Sequence, residues 1–130
     1  YDRTAFMAMF ESFEGKECFL LEHPLAAELM NPDALADVDA MVLYHMPGGN
    51  TWAGPGYEVP PSPRAQAGFM ALLEAGMPIV ALHHSIAAWT LWPEYAEALG
   101  GVLLHFPGHV RGKRVMDGGY RQDVRYTLSA

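Results

Sequence analysis

The sequence predicts an α/β fold in which helices cover both faces of a mostly parallel sheet, in three layers. Short apolar runs bounded by proline or glycine alternate along the chain with stretches whose apolar residues recur at helical spacing. Most of the connections between them are short. This alternation is typical of parallel strands joined by helical crossovers. Right-handed crossovers bring the carboxyl ends of such strands to one edge of the sheet.

Residues 78–100 contain the clearest strand, turn and helix unit. The run 78–82 is too short for a helix and is rich in branched residues, so it predicts a buried strand. Ser85 follows as a helix cap, and Pro93 predicts a break and restart within the helix. Gly100 is placed to end it. The apolar residues at helical spacing are Ile86, Trp89, Trp92 and Ala96.

The other elements are predicted in the same way, strands from short apolar runs and helices from apolar residues at helical spacing. Because the first helix begins almost at Tyr1, and an α/β unit normally opens with a strand, we expect a strand to precede the printed chain. Residues 1–130 are therefore interpreted as a single, partial domain. Helices are predicted for residues 3–13 and 62–75, the latter with Ser62 as N-cap and Pro63 at its first position, and a short helix with a capped turn for residues 25–36. Strands are predicted for residues 18–22, 39–46, 102–106 and 122–129.

Composition narrows the classes of partner. The 130 residues are 51% hydrophobic and carry a formal net charge of −7, with a pI near 5.2. An acidic chain of this kind indicates neither a nucleic-acid partner nor an anionic membrane surface. No apolar run approaches the roughly 20 residues that span a bilayer. The single cysteine, Cys18, excludes an internal disulfide and is predicted to be buried. The compartment stays open between cytoplasmic and secreted.

Residues 47–63 form the longest stretch without periodicity. Such a stretch in a compact domain is either disordered or a functional loop. Trp52, Tyr57 and Glu58 favour a loop that folds over a binding site, since disordered linkers are poor in aromatic residues. Its glycines match neither a P-loop nor the dinucleotide fingerprint, so nucleotide binding is not predicted.

Five of the six histidines fall at the carboxyl ends of predicted strands, which places them at one edge of the sheet. Three interpretations remain open: a divalent metal site, general acid–base catalysis, and hydrogen bonds that only hold the turns. No two of these strand-end histidines have the HxH, HxxxH or HExxH spacing that would support the metal, and a serine triad is disfavoured because the G-x-S-x-G elbow is missing. These histidines are His23, His45, His83, His84 and His105.

The pair His83 and His84 is the candidate catalytic group, because α/β folds display reactive groups directly after a buried strand. No cofactor is assigned; for a divalent metal, the candidate ligands are His45, His83 and His84. Trp89 is interpreted as either core or an aromatic platform for a sugar ring. The candidate substrate-binding residues are His45, Trp52, Glu58 and Trp89.

The run LHHSIAAWTLWPEYAEALGG at 82–101 resembles the ThuA-like (trehalose utilisation) family, through the pattern HH-x(4)-W-x-x-WPEY-x(4)-GG. VLYHMPGG at 42–49, FMALLEAGMPIVALHH at 69–84 and DGGYRQDVRYTLS at 117–129 are similar to the same family. The resemblance covers nearly the whole chain. It implies a flavodoxin-like fold related to class I glutamine amidotransferases, and a chain truncated at both ends relative to the family.

The resemblance also implies a function in carbohydrate catabolism, through disaccharides and 3-keto sugars. We therefore expect a small carbohydrate as partner and a sugar-processing hydrolase or lyase as the activity. The amidotransferase relatives carry a cysteine at the elbow after the central strand. Here the matching positions are His83, His84 and Ser85, which argues against glutaminase chemistry. The alternative is a non-catalytic carbohydrate-binding or interaction module on the same fold.

Overall fold

The computed structural model describes residues 2–49, 53–119 and 123–127, and these residues form a mixed α/β structure. The expected α/β class is confirmed. The α-helices are α1 (Arg3–Ala8), α2 (Leu25–Leu29), α3 (Pro63–Glu74) and α4 (Pro93–Leu99), with a 3₁₀ helix at His83–Ala87. The strands are β1 (Met41–Leu43), β2 (Ile79–Ala81), β3 (Gly108–Val110) and β4 (Lys113–Val115).

Strands β1 and β2 are parallel neighbours, and α3 forms the crossover between them. Met41 pairs with Ile79 and Leu43 with Ala81. The ladder continues past the strand ends, because the Leu82 amide donates to the Leu43 carbonyl at 2.8 Å. The chain therefore leaves both strands at the same edge of the sheet. His45 and His83 follow there, each two residues beyond its strand.

The two main helices begin where the sequence predicts. Ser62 caps α3 by accepting a hydrogen bond from the Ala65 amide at 3.1 Å, and Pro63 occupies the first turn. Pro93 likewise opens α4, and Gly100 ends it in the left-handed region with φ +76°. Proline suits a first turn because its missing N–H has no intrahelical partner there.

The helix predicted to run from Ser85 through Trp92 is not continuous. The 3₁₀ helix ends at Ala87, and Trp89 adopts φ +46° in a turn before α4. The Trp89 amide donates to the Pro47 carbonyl at 3.0 Å, so the turn is tied to the residues that follow β1. Because Pro93 also disfavours a helical residue before it, the chain turns here and the helix restarts.

The core lies against one face of the β1–β2 sheet. Leu43 is only 4% exposed, whereas its neighbours Val42 and Val80, which pair across the sheet, are 38% and 52% exposed on the other face. Successive side chains of a strand point to opposite faces, so this contrast is expected for a sheet with one covered face. The core residues include Met30, Phe69, Leu72, Trp89, Trp92 and Tyr95.

Two predicted strands are absent from the described residues. The segment 18–22 has no regular secondary structure and pairs with no described strand, and its side chains are exposed. Residues 102–106 make single backbone hydrogen bonds, from the Leu103 amide to Ile86 and from the Gly118 amide to Leu104. The parallel sheet thus has two strands, and the described part of the chain shows no three-layer sheet. An apolar run forms a strand only when its backbone N–H and C=O groups can hydrogen-bond with those of a neighbouring strand.

The remaining expectations concern the ends of the chain. Strands β3 and β4 form an antiparallel hairpin, and Arg111 in its turn forms an ion pair with Glu97. The strand predicted for 122–129 falls partly outside the described residues, and 123–127 form no strand. Cys18 is exposed, so the prediction that it is buried is wrong. Within the described segments, no helix is long and apolar enough to cross a membrane.

Candidate functional site

A chain of hydrogen bonds runs from the surface into the core at the carboxyl edge of the sheet. His45 lies at its centre: its Nδ1 is 2.8 Å from the Nε2 of His23, and its Nε2 is 2.8 Å from the Tyr95 hydroxyl. The Tyr95 hydroxyl in turn donates to the Ser85 carbonyl at 3.1 Å. Residues before α2, after β1, in the 3₁₀ helix and in α4 are thereby joined.

Ser85 holds the deep end of this chain in place. It is fully buried, and its hydroxyl donates to the Leu43 carbonyl at 2.8 Å. The His45 amide approaches the same hydroxyl at 3.5 Å. The side chain of Ser85 therefore fixes the 3₁₀ helix to the end of β1. With its hydroxyl used in this way, Ser85 is a structural residue rather than a nucleophile.

Aromatic side chains surround the His45 ring. Trp89 is edge-on to both imidazoles, with ring centroids 5.6 Å from His23 and 5.1 Å from His45. Tyr95 stacks on Trp92 at 5.6 Å and is 2% exposed. These rings keep water away from His45, although its ring nitrogens keep their hydrogen bonds. The site is thus a polar path with apolar walls.

The same burial keeps both imidazoles neutral at ordinary pH. Burial and, secondarily, the nearby His23 lower the pKa of His45 to about 3. Burial also lowers the pKa of His23. For Tyr95, burial raises the pKa above its usual value, so the hydroxyl keeps its proton. At neutral pH, His23, His45 and Tyr95 are therefore all uncharged, and they are linked in one line by hydrogen bonds.

His23 also lines an open cleft of about 420 Å³. One wall comes from α2, the other from both ends of the 47–63 loop, and Trp89 contributes an aromatic surface. The polar side chains at its margin are His23, Glu28 and Ser62, and the Ser62 hydroxyl donates to Glu28 at 2.8 Å. The remaining described lining residues are Pro24, Ala27, Pro47, Gly48, Gly49, Val59, Pro60, Pro61 and Trp89.

Two glycines allow the loop to form its wall. Gly49 has φ +94°, and a Cβ there would lie 2.1 Å from the Tyr57 carbonyl oxygen. Gly48 has φ +132°, and its Cβ would lie 3.0 Å from the Trp89 amide. Both positions therefore require glycine for conformation and for space. The backbone pairing of Gly49 with Glu58 closes the loop on itself.

The predicted catalytic pair forms a separate feature. The Nδ1 atoms of His83 and His84 are 2.7 Å apart, at the start of the 3₁₀ helix, where His83 has φ +49°. The pKa of His84 lies below its usual value because of burial and, secondarily, because His83 and His105 are near. The Nε2 atom of His105 is buried and has no hydrogen-bond partner among the described residues.

The sequence-predicted site residues are only partly brought together. Trp89 lines the cleft, and His45 lies behind His23. Trp52 falls outside the described residues, while Glu58 accepts a hydrogen bond from the Gly56 amide within its own loop. The proposed metal ligands His45, His83 and His84 do not form one ligand set. Among residues 2–49, 53–119 and 123–127, no three His, Cys, Asp or Glu side chains are grouped so that they could hold a metal ion.

Two residues of the site are not predicted from the sequence. The sequence places His23 at a strand end without indicating its role, and Tyr95 stands out only within the WPEY pattern. A signal for Tyr95 is present: Trp89, Trp92 and Tyr95 recur at three-residue spacing, and a buried tyrosine needs a hydrogen-bond partner.

Comparison with family models, curated proteins and solved structures finds no match for this chain.

Proposed function

We propose that this chain binds a small carbohydrate, a disaccharide or 3-keto sugar, in the cleft beside His23. We further propose that it catalyses a proton transfer from the bound sugar. The observation that carries the proposal is the hydrogen-bonded pair of His23 and His45 at the wall of an open cleft. A neutral imidazole at such a position is suited to act as general base.

The reaction that fits a 3-keto sugar is an elimination. The ketone at C3 acidifies the neighbouring C2–H, and the base takes that proton. The electron pair of the C–H bond then forms a double bond between C2 and C1, and the glycosidic C1–O bond breaks. The leaving alkoxide takes up a proton, so the products are an unsaturated keto sugar and an alcohol. His23 is the residue placed to accept the first proton.

The chemistry of the cleft supports a neutral, hydroxyl-rich ligand. Its polar side chains include two acceptors, the His23 ring and the Glu28 carboxylate, and its described lining has no Lys or Arg. A sugar offers several hydroxyl donors and an apolar ring face, and the latter suits Trp89. An anionic substrate would meet the Glu28 carboxylate with no cation to offset it.

We further infer that the chain is a ThuA-like domain with a three-layer, flavodoxin-like sheet. The HH-x(4)-W-x-x-WPEY-x(4)-GG run supports the family, and its Trp89 and Tyr95 contact the central histidine. Parallel pairing of β1 with β2 supports the fold. So does the contact of α1 with the residue that follows β1, where Phe6 stacks on Tyr44 at 4.7 Å.

His83 and His84 are the second candidate for the proton transfer. Their Nδ1 atoms are 2.7 Å apart, a distance at which one ring donates a hydrogen bond to the other. The two candidates make different predictions for point variants. A non-catalytic module is the remaining alternative, and it predicts sugar binding without turnover.

The experiment is a turnover assay on 3-keto disaccharides with the full chain and three histidine variants. We expect His23→Gln to lower kcat by about 10²–10⁴-fold, the usual contribution of general acid–base catalysis. His84→Gln should stay within a few-fold of the unaltered chain, as should the control His109→Gln, whose side chain is exposed on β3. A loss in His84→Gln alone would move the chemistry to the second pair. Calorimetric binding of the sugar without turnover would favour the non-catalytic module.

A further inference from the structure

The direction of the hydrogen bonds in the His23–His45–Tyr95 chain is fixed at its buried end. The Ser85 carbonyl can only accept, and the Tyr95 hydroxyl lies 3.1 Å from it. The backbone around this carbonyl is held by the 3₁₀ helix, in which it also accepts from the Ala88 amide at 3.3 Å. The hydroxyl proton of Tyr95 is therefore directed at Ser85.

The position of the Tyr95 proton determines where the ring protons of His45 and then His23 lie. With its proton on the Ser85 side, the Tyr95 oxygen accepts from His45, so His45 carries its proton on Nε2. The Nδ1 of His45 is then an acceptor, and it takes a hydrogen bond from the Nε2 of His23. A neutral imidazole has one N–H, so the Nδ1 of His23 is left unprotonated.

The opposite direction of hydrogen-bond donation would leave one of these three contacts without a hydrogen. If Tyr95 donated to His45, no proton would lie between the Tyr95 and Ser85 oxygens, which are 3.1 Å apart. Two buried oxygen atoms at that distance repel each other unless a hydrogen lies between them. Only one direction makes all three contacts hydrogen bonds.

We propose that Tyr95 is a positioning residue that, through His45, presents His23 to the cleft with an unprotonated Nδ1, so that His23 begins the reaction as a proton acceptor. The Nδ1 of His23 makes no hydrogen bond with any described residue, and His23 lines the cleft. This nitrogen would accept a hydrogen bond from a ligand hydroxyl or take the proton of an acidified C–H group. The catalytic meaning rests on the proposed function, but the proton positions do not.

The test is the tautomeric state of the histidines, measured by long-range proton–nitrogen NMR correlations on the isotope-labelled full chain near neutral pH. We expect both His23 and His45 to be protonated on Nε2. In Tyr95→Phe, His45 loses the oxygen that accepts from Nε2, so we expect a substantial Nδ1–H population on His45 and, in turn, on His23. Tyr57→Phe is the matched control, since Tyr57 is 58% exposed, and it should leave both rings unchanged.

The measurement separates this inference from the proposed function. Protonation of both rings on Nε2 supports it even where no sugar is turned over, and that result needs no variant that might fail to fold. An Nδ1–H on His23 in the unaltered chain overturns it even where turnover is observed. Unchanged tautomers in a folded Tyr95→Phe also overturn it, because Tyr95 would then not set the direction.

Discussion

His45 shows how a single residue connects the packing of this molecule to its chemistry. Its ring accepts and donates within the core, between His23 and Tyr95, while Trp89 shields it from water. A neutral imidazole is tolerated there because both ring nitrogens have partners, whereas a charged one would be buried without a counterion. The stability of the fold should therefore depend on pH through this residue.

We predict that the free energy of unfolding decreases as the pH falls below about 6.5. In the unfolded chain His45 takes up a proton at its usual pKa of 6.5, whereas in the folded chain its pKa is about 3. Below pH 6.5 the unfolded state thus binds more protons, so stability is complete above that pH and is lost on the way down to about pH 3. One such group gives a slope of up to about 1.4 kcal/mol per pH unit.

Urea denaturation at several pH values between 7 and 5 measures this slope. His45→Gln should reduce it, while His109→Gln should not, since His109 is exposed. His23 acts in the same direction as His45, because burial lowers its pKa too. Equal slopes in the two variants would show that His45 is not buried in its neutral form.

The sequence predicts the position of His45 better than its partners. Its place after an apolar run puts it at the carboxyl edge of the sheet, and β1 confirms this. Its partners, however, lie 22 and 50 residues away along the chain. No local periodicity reports such contacts, since they depend on how α2 and α4 approach the sheet. For that reason the sequence alone does not identify His23 and Tyr95 as the partners of His45.

At the scale of elements, the junction of α2 and α3 is held by one close approach and one side-chain bond. Gly68 of α3 faces the turn after α2, and a Cβ there would lie 2.5 Å from the Met30 carbonyl oxygen. On the same side, the Ser62 hydroxyl caps α3 and donates to Glu28 of α2. These contacts set the position of one wall of the cleft.

We predict that Gly68→Ala destabilises the protein by up to about 2 kcal/mol. Alanine favours the helix by about 1 kcal/mol, but inserting a methyl group against rigid backbone costs about 1–3 kcal/mol. Thermal unfolding followed by circular dichroism measures the change. Gly101→Ala serves as control, because a Cβ there meets nothing within 4 Å. A Gly68→Ala variant more stable than the unaltered chain would show that the two helices separate without loss.

Ser62 supports a second prediction at this scale. Ser62→Ala should destabilise the fold by about 1 kcal/mol, because the Ala65 amide loses its capping oxygen. Ser62→Gly should lose less, since glycine is tolerated at an N-cap and the bond to Glu28 is removed in both variants. The difference between the two in urea denaturation therefore reports the cap. Equal losses would assign the whole effect to the bond with Glu28.

For the molecule as a whole, the sequence predicts the class of the fold but not the extent of its sheet. The apolar runs at 18–22 and 102–106 have the composition of strands, yet neither forms one among the described residues. Composition reports the tendency of a run to be buried. Whether it pairs depends on a neighbouring strand with free backbone groups. As a result, the described parallel sheet consists of β1 and β2, and each has an outer edge.

The exposed face of this sheet leads to a prediction about association. Val42 and Val80 pair across the sheet on its outer face, and Phe19 in the unpaired segment 18–22 is 60% exposed. Exposed apolar surface next to open strand edges promotes contact between molecules. We therefore expect the chain to associate as its concentration rises. Analytical ultracentrifugation over a range of concentrations measures this.

Replacing both valines by threonine, in the double variant Val42→Thr/Val80→Thr, should shift the protein towards the monomer. Threonine keeps the branched shape that strands prefer but reduces the apolar surface, so the sheet itself should be retained. Val124→Thr is the matched control, because Val124 is 55% exposed but belongs to no strand. If the double variant associates as strongly as the control, the outer face of β1 and β2 is not the surface through which the molecules meet.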